Sequence, residues 1–256
     1  MNRSSCSKAA SGKVYLVGAG PGAKDLLTLR AARLLACADV VVYDNLVGEG
    51  IVDLAPVAAR RIYVGKKSSS HTLPQGDISQ LLVDLAQEGL NVVRLKGGDP
   101  FIFGRGGEEL EVLAAAGIPF EVVPGITAAA GCAAQAGFPL THRNHAQSLT
   151  LVTAHLQDNT VNLDWDSLAR PAQTIVFYMG VGAVNEISRQ MIAHGLSPDT
   201  PAAVVHKGTL PDQLTLISTL GRLPDDLAKQ LIKPPALIIV GSVVGLAMSL
   251  TQSSAS

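Results

Sequence analysis

The sequence predicts an α/β protein of two domains, a mostly parallel N-terminal sheet followed by a mixed C-terminal one. Three observations carry this. Short β-branched runs alternate with helical periodicity from residue 14 to residue 123, the pattern of a parallel sheet with helices on both faces. After Pro124-Gly125 the texture changes, and two apolar runs around Val204 and Leu216 are separated by a link too short for a helix. That makes them an antiparallel pair. The length, 256 residues, suits one large domain or two small ones, each with its own core.

In chain order, strands are expected at residues 14–17, 40–43, 62–64, 92–95 and 120–123. The unbroken Val40-Val41-Val42 suits a strand buried on both faces. Between the third and fourth strands, Ile78, Leu81, Leu82 and Leu85 fall at i, i+3, i+4 and i+7, one apolar stripe of a helix. An alanine-rich helix is expected over residues 127–136, followed by Phe138-Pro139-Leu140 and apolar runs at 149–153, 174–179, 202–206, 214–218 and 236–240. The expected domains are residues 13–125 and 126–249, with disordered tails at 1–12 and 250–256. No internal repeat is visible.

Composition narrows the function. With 47% apolar and 16% charged residues, the chain is neither disordered nor fibrous. A net charge of −1 lacks the basic excess of a nucleic-acid binder. The N-terminus has no apolar core for a signal peptide, and residues 235–250 are too short and too broken, by Gly241, Ser242 and Gly245, for a membrane span. Cys6, Cys37 and Cys132 are far apart, so neither a disulfide framework nor a zinc knuckle is expected. A soluble enzyme of the reducing cytoplasm fits.

Several motifs could carry chemistry. Gly18-Ala19-Gly20-Pro21-Gly22-Ala23 follows the first strand and matches G-x-G-x-x-A, with Asp44 where a ribose partner would lie. Pro21, however, removes an amide where a pyrophosphate wants a donor. The segment from Leu95 to Glu109, LKGGDPFIFGRGGEE, follows another strand, where open α/β sheets bind ligands. Its five glycines in fifteen residues would let backbone approach a ligand closely. Phe101 and Phe103 look exposed, and Arg105, Glu108 and Glu109 add ionisable groups. Pro124-Gly125-Ile126-Thr127-Ala128 turns into a helix, which Thr127 could cap. His142 and His145 are spaced for a metal but lack a carboxylate or cysteine partner, so no metal is expected, and Arg143 between them suits an anion. Tyr178-Met179-Gly180 and Lys207-Gly208-Thr209 close two later strands.

Taken together, GAGPG, VVYD, VGKK, RLKGGDPFIFGRGGEE, VPGIT, PLTHR, FYMG and KGT, in this order, resemble the uroporphyrinogen-III C-methyltransferases of the tetrapyrrole methylase family, the class III S-adenosylmethionine (SAM)-dependent methyltransferases. The resemblance covers nearly the whole chain outside the tails. It implies two α/β domains with the active site in the cleft between them, a homodimer, and two methylations of uroporphyrinogen III, at carbons 2 and 7, giving precorrin-2 for sirohaem, cobalamin or haem d1. SAM, leaving as S-adenosyl-L-homocysteine, would contact Pro21, Gly97, Gly98, Asp99, Ile102, Thr127, Ala128, Met179 and Gly208. Asp44 matches the proton acceptor and Lys66 the proton donor. Arg105, Glu108 and Arg143 match positions facing the tetrapyrrole, and the resemblance also offers Arg105 as a base. An arginine stays protonated in proteins, so its expected role is an anion clamp first and a base second. Ala154, Asn144, His206 and Leu214 depart from the family pattern without removing any of these residues.

The substrate has eight carboxylates, so a local positive field is expected from Arg60, Arg61, Lys66, Lys67, Arg94, Lys96, Arg105 and Arg143, with arginines pairing carboxylates in forks. Alternatives are methylation of a later corrin intermediate, a nicotinamide oxidoreductase, and a non-catalytic ligand carrier. Bifunctional relatives carry a dehydrogenase–chelatase domain before the methylase. About a dozen residues precede the first strand here, so that activity is expected to be absent.

Overall fold

The computed structural model describes residues 12–65, 74–154, 162–230 and 232–247. The chain divides into two compact units, residues 1–128 and 129–256, a division three residues beyond Gly125. The expected tails, apart from Gly12, and the proton-donor candidate Lys66, with Lys67, lie outside the described residues; Gly12 is buried against the backbone of Ala86 and Leu90, which takes it out of the expected tail.

The first unit holds β1 (Lys13–Gly18), β2 (Val40–Tyr43), β3 (Arg60–Tyr63), β4 (Asn91–Lys96) and β5 (Phe120–Val123), in the order β3-β2-β4-β1-β5. Every pairing is parallel. The helices are α1 (Leu29–Leu35), α2 (Gln75–Gln87) and α3 (Gly106–Ala115). Alternation along the strands feeds two cores. Val14, Leu16, Val40 and Val42 pack with Ile78, Leu82, Leu85 and Leu113 on one face. Val17, Val41, Val93 and Leu95 pack with Ala31, Leu35 and Ile51 on the other. This is why Val40-Val41-Val42 is unbroken: successive side chains point to opposite layers. Thr28 caps α1, its hydroxyl accepting from the Ala31 amide at 3.2 Å.

Parallel strands put all their carboxyl ends on one edge, so the loops after β1, β2, β3, β4 and β5 emerge together. Arg60 and Arg61, by contrast, open β3 and sit at the opposite edge. Arg60 pairs with Glu88 at 3.3 Å, and Arg61 donates to the carbonyls of Ala55, Val57 and Ala59. They do not contribute to a positive field at the loop edge, which corrects the sequence expectation.

The second unit holds β6 (Ser148–Thr153), β7 (Gln173–Tyr178), β8 (Pro201–His206), β9 (Leu214–Thr219) and β10 (Ala236–Val240), ordered β6-β7-β10-β8-β9. Its helices are α4 (Ala128–Ala136, beginning at the last residue of the first unit), α5 (Trp165–Leu168), α6 (Val184–Ala193) and α7 (Leu223–Gln230). β6 and β7 are parallel, and the other pairs are antiparallel. The expected hairpin forms with Val204 opposite Leu216. The last strand enters between β7 and β8, a placement that local pattern does not encode. Phe177, Ile187, Met191, Leu220 and Ile238 anchor the core.

No helix among the described residues is long and apolar enough to cross a membrane. Cys132 is free and buried.

Candidate active site

At the carboxyl edge of the first sheet the loops after β1, β4 and β5 are tied to one another by backbone. The Gly98 amide donates to the Gly20 carbonyl at 2.7 Å, the Gly20 amide donates back to Gly98 at 3.1 Å, and the Ala19 amide donates to Lys96 at 2.8 Å. The Asp99 carboxylate accepts from the Gly125 amide at 3.0 Å and from the Phe101 amide at 2.9 Å. A Cβ on Gly125 would lie 2.2 Å from the Gly98 carbonyl oxygen, and one on Gly18 would lie 2.4 Å from the Gly125 nitrogen. Likewise Gly97 is pressed against Leu46, and Gly104 and Gly106 against the Pro100 carbonyl. The sequence reading gave these glycines close approach to a ligand. Their first use is close approach of one loop to the next.

The same bonds remove the nicotinamide reading. The Ala19 and Gly20 amides that a pyrophosphate would need are already spent on β4's loop. A three-residue turn of 3-10 helix, Lys24–Leu26, follows instead of the start of an α-helix, so the helix-end field that binds phosphate is missing there.

Beneath this edge lies a buried charge network that sequence reasoning did not assemble. Glu109, fully buried, accepts on Oε1 from Lys96 Nζ at 2.9 Å, Gln75 Nε2 at 3.0 Å and Arg94 Nε at 3.2 Å. Its Oε2 has no partner among the described residues. Arg94 also donates through Nη1 to the Leu95 carbonyl at 2.8 Å and through Nη2 to Asp44 Oδ2 at 3.2 Å. Burial, together with the adjacent Arg94 charge, pulls the Lys96 ammonium below the usual lysine value against the opposing pull of Glu109. Arg94 and Lys96 therefore do not reach out to substrate carboxylates, a second correction to the expected positive field. A signal existed: in strand β4, Arg94 and Lys96 alternate with buried apolar residues yet are themselves inside, which a strand buried on both faces requires.

Asp44 follows β2 and is the half-buried member of the network. Its Oδ1 accepts from the Leu46 amide at 3.0 Å, so both carboxylate oxygens are held.

Arg105 and Glu108 are exposed and paired with each other, Nε to Oε1 at 2.8 Å and Nη2 to Oε2 at 2.6 Å. The hydrogen bond to Glu108 raises the Arg105 guanidinium above its already high value, and the bond from Arg105 holds the Glu108 carboxyl below the usual carboxylate range. Both shifts argue against Arg105 as a base. Arg105 has φ 57°, in the left-handed region, as does Phe103 at 53°. Phe101 and Phe103 are exposed, as expected. Pro21, Ile102, Thr127 and Ala128 are half-buried at the same edge.

In the second unit Met179 closes β7, exposed and left-handed at φ 55°. Lys207 and Thr209 are left-handed on either side of Gly208. A Cβ on Gly208 would lie 2.1 Å from Cys132 Sγ, so this glycine seats the β8 loop on α4. The Tyr178 hydroxyl accepts from the Ala129 amide at 3.0 Å, fixing the first turn of that helix. Arg143 is exposed in the tight turn closed by the His142–Ala146 bridge, and no described residue pairs with it. His142 and His145 stack edge-to-face at 4.9 Å. No group of three or more metal-binding side chains occurs among the described residues.

Known proteins carry the same pattern. The family described as Tetrapyrrole (Corrin/Porphyrin) Methylases matches residues 13–224. The chain is 63% identical over 236 residues to a siroheme synthase of Nitrosomonas europaea, covering 92% of this chain and 50% of that protein. A siroheme synthase of Thioalkalivibrio sulfidiphilus is 57% identical over 237 residues, 93% of this chain and 48% of that one. The chain thus spans about half the length of the curated relatives it matches. Among solved structures, a uroporphyrin-III C-methyl transferase from Thermus thermophilus complexed with S-adenyl homocysteine superposes with a TM-score of 0.78 at 41% identity, covering 91% of this chain and 93% of that one. A cobalt precorrin-4 methyltransferase superposes with a TM-score of 0.81 at 29% identity, covering 91% and 95%.

Proposed function

Because the chain belongs to the tetrapyrrole methylase family, we propose that it transfers methyl groups from SAM to uroporphyrinogen III, at carbons 2 and 7, giving precorrin-2. The observation that carries this reading is the extent of the match to the Thermus enzyme complexed with S-adenyl homocysteine, 93% of that chain at 41% identity. The geometry of the first sheet's loop edge supports it. Gly97, Gly98, Ile102, Thr127 and Ala128 carry no charge, and Asp99 is committed to two backbone amides. That surface suits the sulfonium of SAM, since no cationic side chain among these residues repels it. We assign Pro21, Gly97, Gly98, Asp99, Ile102, Thr127 and Ala128 of the first unit, and Met179 and Gly208 of the second, to holding SAM, with Asp99 acting through the loop it pins.

SAM supplies an electrophilic methyl group. The acceptor pyrrole carbon is electron-rich and needs little activation, so the chain's task is alignment and exclusion of water, which can supply ~7–11 kcal/mol. Once the ring carbon is methylated, a proton must leave the macrocycle: the bond to hydrogen breaks, its electron pair returns to the ring, and a base takes the proton. Asp44 is the group we assign, contributing roughly 10²–10⁴-fold. Arg105, Glu108 and Arg143 are assigned to the substrate, Arg105 exchanging its bond to Glu108 for a substrate carboxylate. Lys66, as proton donor, rests on the resemblance alone. We further propose a homodimer acting in the cytoplasm, to be checked by light scattering and by fractionation.

Incubation with uroporphyrinogen III and SAM, followed by mass spectrometry, tests the reading. Two added methyl groups are expected, and none would overturn it. The likeness to the cobalt precorrin-4 enzyme favours a later corrin intermediate as second reading, at lower identity. Methylation of that substrate alone would select it.

A further inference from the structure

The Arg94–Glu109 pair is expensive to bury and is not needed for the core. Arg94 is 3% exposed, Lys96 4% and Glu109 0%. Taking each charge out of water costs several kcal/mol, and apolar side chains such as those of Val92, Val93 and Leu95 would fill the same layers. Arg94, Lys96 and Glu109 together carry one surplus positive charge. The group that balances it is Asp44, with 22% of its side chain exposed, the member of the network closest to solvent.

The geometry is directional. The guanidinium is planar, and its three nitrogens are each engaged: Nε on Glu109, Nη1 on the Leu95 carbonyl and Nη2 on Asp44. With the first two fixed to buried acceptors, the third has one direction, and the Asp44 carboxylate takes its orientation from it. We propose that Arg94, itself oriented by Glu109, is a positioning residue that aims the Asp44 carboxylate and supplies the charge that faces it. This rests on reading Asp44 as the proton acceptor. The charged groups facing Asp44 are Arg94 and Lys96 from β4, with Glu109 of α3 behind Arg94. The nearby phenols are Tyr43 of β2 and Tyr63 of β3, stacked edge-to-face at 5.6 Å.

The test is the pH profile of kcat for methyl transfer by the full chain with uroporphyrinogen III and SAM. Arg94→Gln removes a positive charge facing Asp44, so the acid limb should move up by about one pH unit. Glu109→Gln keeps an acceptor for the three donors but removes a negative charge behind Arg94, so the limb should move down by about half a unit. Arg94→Lys keeps the charge and loses the fork: the limb should stay while kcat falls about tenfold or more. A merely structural role lowers kcat or stability without opposite movements of the limb. If Arg94→Gln does not fold, Glu109→Gln and Arg94→Lys decide between them. Unmoved limbs, with Asp44→Asn still inactive, overturn this inference and leave the base assignment standing. Full turnover by Asp44→Asn overturns the base assignment itself.

Discussion

Gly125→Ala is the sharpest probe of the loop edge, because its consequence can be worked from distances. The new Cβ would stand 2.2 Å from the Gly98 carbonyl oxygen and 2.8 Å from the Gly18 Cα. Contacts of Cβ atoms below 3.0 Å are essentially not found, so the loops must part by about 0.8 Å, and the obstacles are backbone, not a flexible side chain. Overpacking of this kind costs ~1–3 kcal/mol. The parting also strains the Gly125–Asp99 bond and the Gly20–Gly98 pair, and loss of two such bonds adds ~1 kcal/mol each. The expected loss is ~3–5 kcal/mol, a fall of roughly 10–15 °C in the Tm of the first unit. Calorimetry on the full chain measures it, with Gly107→Ala as control. Gly107 lies in the first turn of α3, with no heavy atom within 4 Å of an added Cβ, so alanine there should be neutral or stabilising by ~0.5–1 kcal/mol. A Tm for Gly125→Ala within about 3 °C of the parent would refute the claim that these loops are held by mutual contact.

Three further outcomes are expected. Arg105→Lys should keep SAM binding by calorimetry while losing most methylation, since an ammonium cannot replace the fork toward a substrate carboxylate; abolished SAM binding with intact residual activity would show the role to be wrong. Phe177→Ala removes the largest of the fully buried side chains in the second unit and should cost ~3–5 kcal/mol in urea unfolding, and a loss below ~1 kcal/mol would mean the core there collapses around the hole. Burial pushes the Cys132 thiol up to about 12, so at pH 8 it should resist iodoacetamide until the chain is unfolded. Its folded value lies above its unfolded one, so the stability it contributes is complete below the ordinary thiol range and declines as pH rises from about 9 toward 12. Rapid native labelling at pH 8 would contradict the burial.

The strands were legible because alternation and unbroken valine runs report which faces are covered. Val40 and Val42 enter one core and Val41 the other, so a run without polar relief had one reading. The hairpin at Val204 and Leu216 was legible from the length of its link. The seat of the last strand between β7 and β8 was not, because strand order is decided by pairings between residues far apart in sequence. The same limit explains the misread charges. Arg60 and Arg94 look alike in a list of basic residues. One opens a strand at the far edge and the other sits inside a strand, committed to Glu109 and Asp44. Side-chain partners fifteen and fifty residues away decide between clamp and scaffold, and periodicity carries no information about them.

Backbone strain supplies the link between the motifs and the site. Among the described residues six non-glycine residues have positive φ, and five of them, Phe103, Arg105, Met179, Lys207 and Thr209, lie within or beside segments that the sequence already marked for chemistry. Each such residue costs on the order of 1–3 kcal/mol and persists only where its surroundings over-determine it. For Phe103 and Arg105 the surroundings are the Asp99 turn, the Pro100 carbonyl accepting from Gly106, and the helix that begins at Gly106. A glycine at 103 or 105 would adopt the same backbone with less strain and would stabilise the loop if folding were the sole demand. Side chains there, one apolar and one cationic, both exposed, are therefore retained against the local backbone preference. What they offer in return is a phenyl face and a guanidinium fork presented at the carboxyl edge of the sheet, the first suited to the face of a single pyrrole ring and the second to a carboxylate of the proposed substrate.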